Sequence, residues 1–280
     1  MKLLKNILIW IFAVLLTGTV LVYQRVTGPT YPKTGTTMIG GQELDYSVLR
    51  SWEKEKLPGE TSKVPLVKLS GENNDGISGV CEFKRNNTND KWAVVDMTLE
   101  DNKLYAILPT QPPAGKLAYK ITLKKNNAEY LLTETPVVIR FKDYIPGWIP
   151  FPHVFLIFIS LLFSTMAAVE ALRRGKKVSI YALLAAVSMF IGGLVMGPFM
   201  QKYAFGDWWT GWPWGSDLTD TKTMAAVIIW VIAYFVLRKN PSNRFWPVFA
   251  AIITLAIFII PHSVLGSEFD YSAGAVVTGK

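Results

Sequence analysis

The stretch Phe151–Met196, FPHVFLIFISLLFSTMAAVEALRRGKKVSIYALLAAVSMFIGGLVM, decides the architecture. Two apolar runs, Phe151–Leu172 and Val178–Met196, flank the basic sequence Arg173-Arg174-Gly175-Lys176-Lys177. Each run is of the length that crosses a hydrocarbon layer as a helix, about 20 residues. Clustered cations beside such runs stay on the cytoplasmic side, so the pair reads as a helical hairpin with its turn inside. Glu170, at the inner end of the first run, is placed to snorkel or to pair with Arg173 or Arg174.

The pattern repeats downstream. Met224–Leu237 and Phe245–Ile260 are separated by Arg238, Lys239 and Arg244. The first of these runs is short and is expected to extend back through Asp220–Thr223, with Asp217 or Thr219 capping the helix. At the other end of the chain, Ile7–Tyr23 follows Lys2 and Lys5 and carries no charge. Without a small-x-small cleavage site or a lipobox cysteine, it reads as an uncleaved signal anchor. The three basic clusters agree on one topology of five spans: amino terminus cytoplasmic, residues 28–145 and the carboxy terminus outside.

Between the anchor and the hairpin the composition turns polar. Leu117, Tyr119, Ile121 and Leu123 alternate with Ala118, Lys120, Thr122 and Lys124, the period of a strand buried on one face. Cys81 and Phe83, and then Val137, Ile139 and Phe141, alternate in the same way. Turn signals at Asn86–Asp90, Glu100–Asn102 and Pro112–Gly115 divide the strands at the spacing of a small antiparallel sandwich. The run KWAVVDMTLEDNKLYAILPTQPPAGKLAYKITL, residues 91–123, resembles successive strands of an immunoglobulin-like or fibronectin type III-like domain. With one cysteine in the chain this domain has no internal disulfide and must rest on an apolar core.

The expected fold class is a multidomain membrane protein with an N-terminal anchor helix, an extracytoplasmic antiparallel β-sandwich and a C-terminal four-helix transmembrane bundle. Its parts are an anchor at 1–27, the sandwich at 28–145, a four-span bundle at 146–262 with an outer loop at 197–223, and an outer tail at 263–280. The setting is a bacterial-type inner membrane. Half the residues are hydrophobic, and much of the net charge of +8 lies in the three clusters beside apolar runs, so the lipid bilayer is the partner and nucleic acid is not.

This topology sends both histidines to the outer face: His153 opens the second span and His262 follows the fifth. Between them lies KYAFGDWWTGWPWGSDLTDTKT, in which Trp208, Trp209, Trp212 and Trp214 are four of the chain's ten tryptophans. Two imidazoles flanking an aromatic platform suit heme, whose iron takes axial His ligands and whose macrocycle stacks on aromatic faces. Gly206, Gly211 and Gly215 would let backbone approach closely. Tryptophan also gathers at membrane interfaces for its amphipathic solvation alone.

The segment 151–270 resembles the heme-handling membrane proteins of cytochrome c assembly. Their outer segment reads roughly WGxxWxWD followed by a Thr, between outer-face histidines. Here Phe205-Gly206 stands for Trp-Gly, Trp209 and Trp212 or Trp214 for the later tryptophans, and Asp217 with Thr219 for the acidic and Thr positions. Phe205 replaces the first Trp, and Pro213 and Gly215 alter the spacing. The resemblance implies heme iron on His153 and His262, and a loop that presents or receives the heme.

Three functions follow from the sequence. One is a membrane-anchored extracytoplasmic binding or assembly protein, a subunit or accessory of a larger membrane complex, whose β domain docks a protein partner such as a cytochrome. A second is the bis-His heme protein. A third is an outer-face enzyme using His153, His262, Asp217 and Glu268, although no catalytic motif is present and a non-enzyme is expected. Asp207, Asp217 and Asp220 lack metal-ligand spacing, and helix capping accounts for the last two. Cys81 reads as a buried small hydrophobe.

Overall fold

The computed structural model describes residues 2–71 and 74–278. The chain folds as two compact units. One holds the chain up to Pro29, Ile145–Ser267 and Thr278; the other holds Thr30–Tyr144 and Glu268–Val277. The anchor thus groups with the later helices. Ten residues of the segment expected as an outer tail group with the β domain, while the last two residues of that tail lie outside the described ones.

In the β unit the strands are β1 (Lys33–Ile39), β2 (Gln42–Val48), β3 (Ser51–Glu53), β4 (Thr61–Ser70), β5 (Ser78–Arg85), β6 (Ala93–Glu100), β7 (Lys103–Pro109), β8 (Lys116–Lys125), β9 (Ala128–Leu131) and β10 (Val137–Lys142). They make one ten-stranded curled sheet, a half-barrel, in the order β1-β2-β4-β7-β6-β5-β8-β10-β3, with β9 on β8. Strand β6 carries the curl: Ala93–Met97 pair with β5, and Thr98–Glu100 pair with β7. All pairs are antiparallel except β10 with β3. Every inward residue expected from alternation, including Leu117, Tyr119, Ile121, Leu123, Ile139 and Phe141, is buried, and all of them join Val64, Leu66, Leu104 and Leu108 in one core. Gly40 and Gly41, both at positive φ, form the two-residue turn between β1 and β2.

The helical unit contains α1 (Lys2–Val26), α2 (Pro150–Leu172), α3 (Val178–Met189), a π-helical turn (Phe190–Val195), α4 (Met196–Phe205), α5 (Leu218–Lys239) and α6 (Phe245–Ile259). Among the described residues four helices are long and apolar enough to cross a membrane: Leu3–Val26, Pro150–Leu172, the continuous rod Val178–Phe205, and Leu218–Lys239. Phe245–Ile259 is apolar but shorter. Small residues let these helices approach closely: Ala167, Ala171, Ala182, Ala185, Ala233, Ala250 and Ala251 are all buried in one cluster. A Cβ on Gly193 would lie 2.3 Å from Thr223 Cγ2, so α5 lies directly against the π turn. Trp230, fully buried, donates from Nε1 to Thr254 Oγ1 at 2.9 Å, and Ser160 Oγ donates to the Ala185 carbonyl at 2.9 Å. Asp217 caps α5 as expected, its Oδ1 accepting the Thr219 N–H at 2.8 Å.

Candidate functional site

The ends of α4 and α5 are joined by the tryptophan loop. Helix α4 stops at Gly206, whose φ of +91° only glycine adopts without strain. The return into α5 is then fixed by a buried polar network. Thr210 donates its N–H to Asp220 Oδ2 at 2.9 Å, and its carbonyl accepts the Asp217 N–H at 2.9 Å. The Thr210 hydroxyl lies 3.2 Å from Asp220 Oδ2 and 3.3 Å from Asp217 Oδ2. Gln201, a polar residue on α4, donates through Nε2 to Thr210 Oγ1 at 2.9 Å and to Ser267 Oγ at 2.8 Å. The Trp212 N–H donates to Thr221 Oγ1 at 3.0 Å, which draws the middle of the loop onto α5.

Two glycines make this packing possible. A Cβ on Gly211 would sit 2.6 Å from Asp220 Cβ, and one on Gly215 would sit 2.2 Å from the Thr210 carbonyl oxygen. The consequence is a loop that turns Thr210, Asp217 and Asp220 inward. Trp208, Trp212 and Trp214 are left outside, 52 %, 62 % and 83 % exposed. Trp209 is half-buried and donates from Nε1 to the Trp212 carbonyl. Trp208 meets the edge of Phe199, and Phe199 also carries Trp148, which extends the aromatic surface onto α4.

The histidines are held by different elements. His153, in the first turn of α2, has Nδ1 2.8 Å from the Gly192 carbonyl in the π turn. A carbonyl can only accept, so Nδ1 carries the proton and a neutral ring leaves Nε2 with its lone pair. His262 follows α6, is exposed, donates its backbone N–H to the Gln24 carbonyl, and sets Nδ1 2.8 Å from Ser263 Oγ. Buried Lys222 donates from Nζ to the Ile260 carbonyl at 2.9 Å, and Gln24 Nε2 reaches the same oxygen at 3.4 Å. The carboxy-terminal ends of α1 and α6 and the amino-terminal end of α5 therefore meet. Among the described residues no group of three or more His, Cys, Asp or Glu is arranged to hold a metal ion.

The chain matches no described protein family, no curated protein and no solved structure.

Of the four residues assigned to the enzyme reading, Asp217 belongs to the loop network and Glu268 to the β unit. Glu268 opens a hairpin of two short strands, β11 (Glu268–Asp270) and β12 (Ala275–Val277). Its carboxylate takes Lys116 Nζ at 2.6 Å and Asn87 Nδ2 at 3.1 Å. Phe269 N–H donates to the Ala114 carbonyl, and the Tyr271 hydroxyl donates to Gln111 Oε1 at 2.7 Å. Burial pushes the Tyr271 phenol up to about 12, which keeps it a donor. Nearby, the hydrogen bond from Arg85 holds the Asp90 carboxyl down to about 2. The inward polar residues Gln201, Thr210, Lys222 and Ser267 are the part that sequence reading missed. Gln201 was the available signal, a carboxamide beside Lys202 at the end of an apolar run.

Proposed function

We propose that the chain is a membrane-anchored extracytoplasmic binding and assembly protein, a subunit or accessory of a larger complex in a bacterial-type inner membrane. One observation carries this reading: the loop between α4 and α5 spends Thr210, Asp217, Asp220, Gly211 and Gly215 on its own shape and leaves Trp208, Trp212 and Trp214 exposed. Side chains carried on a backbone so fixed are suited to contact, because that backbone loses little further conformational entropy on binding.

The sidedness rests on charge and on the path of the chain. Basic clusters at 173–177 and 238–244 mark cytoplasmic turns of a four-span bundle. The chain leaves the β unit at Tyr144 and rejoins it at Glu268, so a membrane between them must be crossed an even number of times. Helix α2, the rod 178–205 and α5 supply three crossings, and α6 supplies the fourth. At 15 residues α6 spans about 22 Å, short of a hydrocarbon core of about 30 Å, and such a mismatch is met by local thinning. We read the curled sheet as an immunoglobulin-like sandwich whose two layers are joined through β6, with the hairpin β11–β12 as its closing piece.

The test is the size of the assembly in native membranes. The full chain, solubilised gently, should migrate as a complex larger than its 31.3 kDa, and W208A/W212A/W214A should release it as a folded, inserted single chain. Identical migration of the two proteins would refute the reading.

A second reading, bis-His heme at the outer face, is favoured by His153, whose Nδ1–H bond to Gly192 leaves Nε2 in the orientation that metal-ligating histidines take. It predicts a Soret band in protein purified from a heme-replete host. The band should be lost in H153A/H262A, and an unchanged band would remove the ligand assignment.

A further inference from the structure

The end of the helical unit opposite the tryptophan loop carries a different surface. Arg173 Nη2 donates to Asn6 Oδ1 at 3.1 Å, and Trp10 packs edge-on against Phe163 and Tyr181, so the start of α1 meets the end of α2 and the start of α3. Ala171, Val178, Leu237 and Ala250 share one core cluster, which sets the two connecting loops side by side. Arg173, Arg174, Lys176 and Lys177 on the first loop and Arg238 and Lys239 at the second are all exposed. None is in an ion pair among the described residues. Glu170, the one carboxylate in these segments, has Oε1 accepting the Lys177 N–H at 3.3 Å.

Two further features fix the chemistry of what this surface meets. Leu172 and Phe245, adjacent to the loops, are 71 % and 64 % exposed, as side chains facing acyl chains would be. The cations beside them then stand at headgroup depth, not in bulk water. Helix α3 begins here with no side-chain cap from Lys177, and α6 begins here with only the neutral Asn243 Oδ1 accepting the Trp246 N–H at 3.0 Å, so their amino-terminal dipoles add to the positive field.

We propose that this end is a binding surface for anionic phospholipid headgroups, with the loop 173–177 as its principal contact and Arg238 and Lys239 as its flank. The ligand is a lipid phosphate carrying net negative charge, recognised together with its acyl chains. Free phosphate lacks the apolar half of the contact. The inference rests on the membrane reading above but not on the tryptophan surface.

The experiment uses the full chain in neutral detergent and reads lipid retention by native mass spectrometry. The probes are phosphatidylglycerol, phosphatidylcholine and inorganic phosphate. A cation near an anionic headgroup contributes about fivefold in affinity, so several acting together should give phosphatidylglycerol at least about a tenfold preference. That preference should collapse in 0.5 M salt and in R173Q/R174Q/K176Q/K177Q, and persist in K33Q/K68Q/K91Q on the β unit. W208A/W212A/W214A should also keep it, which separates this test from that of the assembly. Equal retention of the two lipids by the unmodified protein overturns the proposal whether or not the quadruple variant folds. So does inorganic phosphate displacing the lipid at millimolar concentration, or equal loss in the β-unit control.

Discussion

Gly215→Ala tests whether the tryptophan loop is held as rigidly as its bonding implies. The added Cβ would lie 2.2 Å from the Thr210 carbonyl oxygen and 2.8 Å from its carbon. Both atoms are backbone, so no rotamer relieves the clash, and Thr210 must move by about 1 Å to restore ordinary contact. That displacement stretches the 2.9 Å bonds that Thr210 makes to Asp217 N–H and Asp220 Oδ2 beyond hydrogen-bonding range. Losing two such bonds, one to a carboxylate, costs about 3–5 kcal/mol, and the entropy gained by replacing glycine returns about 0.4–1 kcal/mol. The local opening free energy should therefore fall by about 2–4 kcal/mol, or about 30- to 700-fold in amide exchange. Hydrogen exchange of the full chain in detergent reads this at Trp212, Trp214 and Asp217, whose N–H groups donate to Thr221, Gly211 and Thr210. Gly18→Ala on α1, where nothing lies within 4 Å of the added carbon, is the control and should change little. Protection within threefold of the unmodified protein at those three amides would refute the argument.

Three other perturbations probe the frame. Glu268→Gln removes the charge facing Lys116 across a pair whose side chains are 10 % and 21 % exposed; it should cost about 2–4 kcal/mol and make the hairpin 268–277 sensitive to protease, both measurable on the full chain. Thr254→Val strands the buried Trp230 N–H and should cost about 1–3 kcal/mol, whereas adding Trp230→Phe should cost less than the two changes summed, as a double-mutant cycle in detergent will read. Cys81 should resist thiol reagents at pH 8 until the β unit unfolds, because burial pushes its thiol up to about 12. Its folded value exceeds the ordinary 9.0, so its contribution to stability is intact below pH 9 and is lost as pH rises from there through 12, which denaturation at alkaline pH will show.

Alternation carried the strands because it records burial residue by residue, and the length of the apolar runs carried the long helices. Leu117, Tyr119, Ile121 and Leu123 could hardly face elsewhere than a core. The Asp217 cap was equally legible, since capping is a local bond. The turn at Gly40-Gly41 carries a local signal too, two adjacent glycines at positive φ. Three features left no local signal. The π turn at Phe190–Val195 follows from the close approach of α2 and α5 to Gly192 and Gly193, not from those residues' own preferences. The partners of Thr210 lie on α4 and at the start of α5, Ser267 after α6 joins the same network through Gln201 and Asp217, and only folding brings them together. The place of Glu268 in the β unit depends on Lys116, 152 positions away. Of the expected site, the place of His153 at a helix start was readable. The bond that orients it was not.

The return of the chain to the β unit has a consequence that labelling can decide. If 268–277 and 30–144 form one folded unit, both lie on one side of the bilayer, and the loops after α2 and α5 lie on the other. The single native cysteine, buried and with a raised pKa, leaves a silent background for introduced ones. Lys91→Cys on the β unit and Ser272→Cys in the turn between β11 and β12 are exposed positions and should react with a membrane-impermeant maleimide from the same side. Arg174→Cys and Asn240→Cys, also exposed, should react only from the opposite side or after the membrane is opened. Were α6 to lie along the surface instead of crossing, the chain from Asn240 to Ser272 would stay on one side, and Ser272→Cys would label together with Asn240→Cys. That outcome would separate the hairpin from the β unit and take with it the argument that a helix of 15 residues spans the membrane.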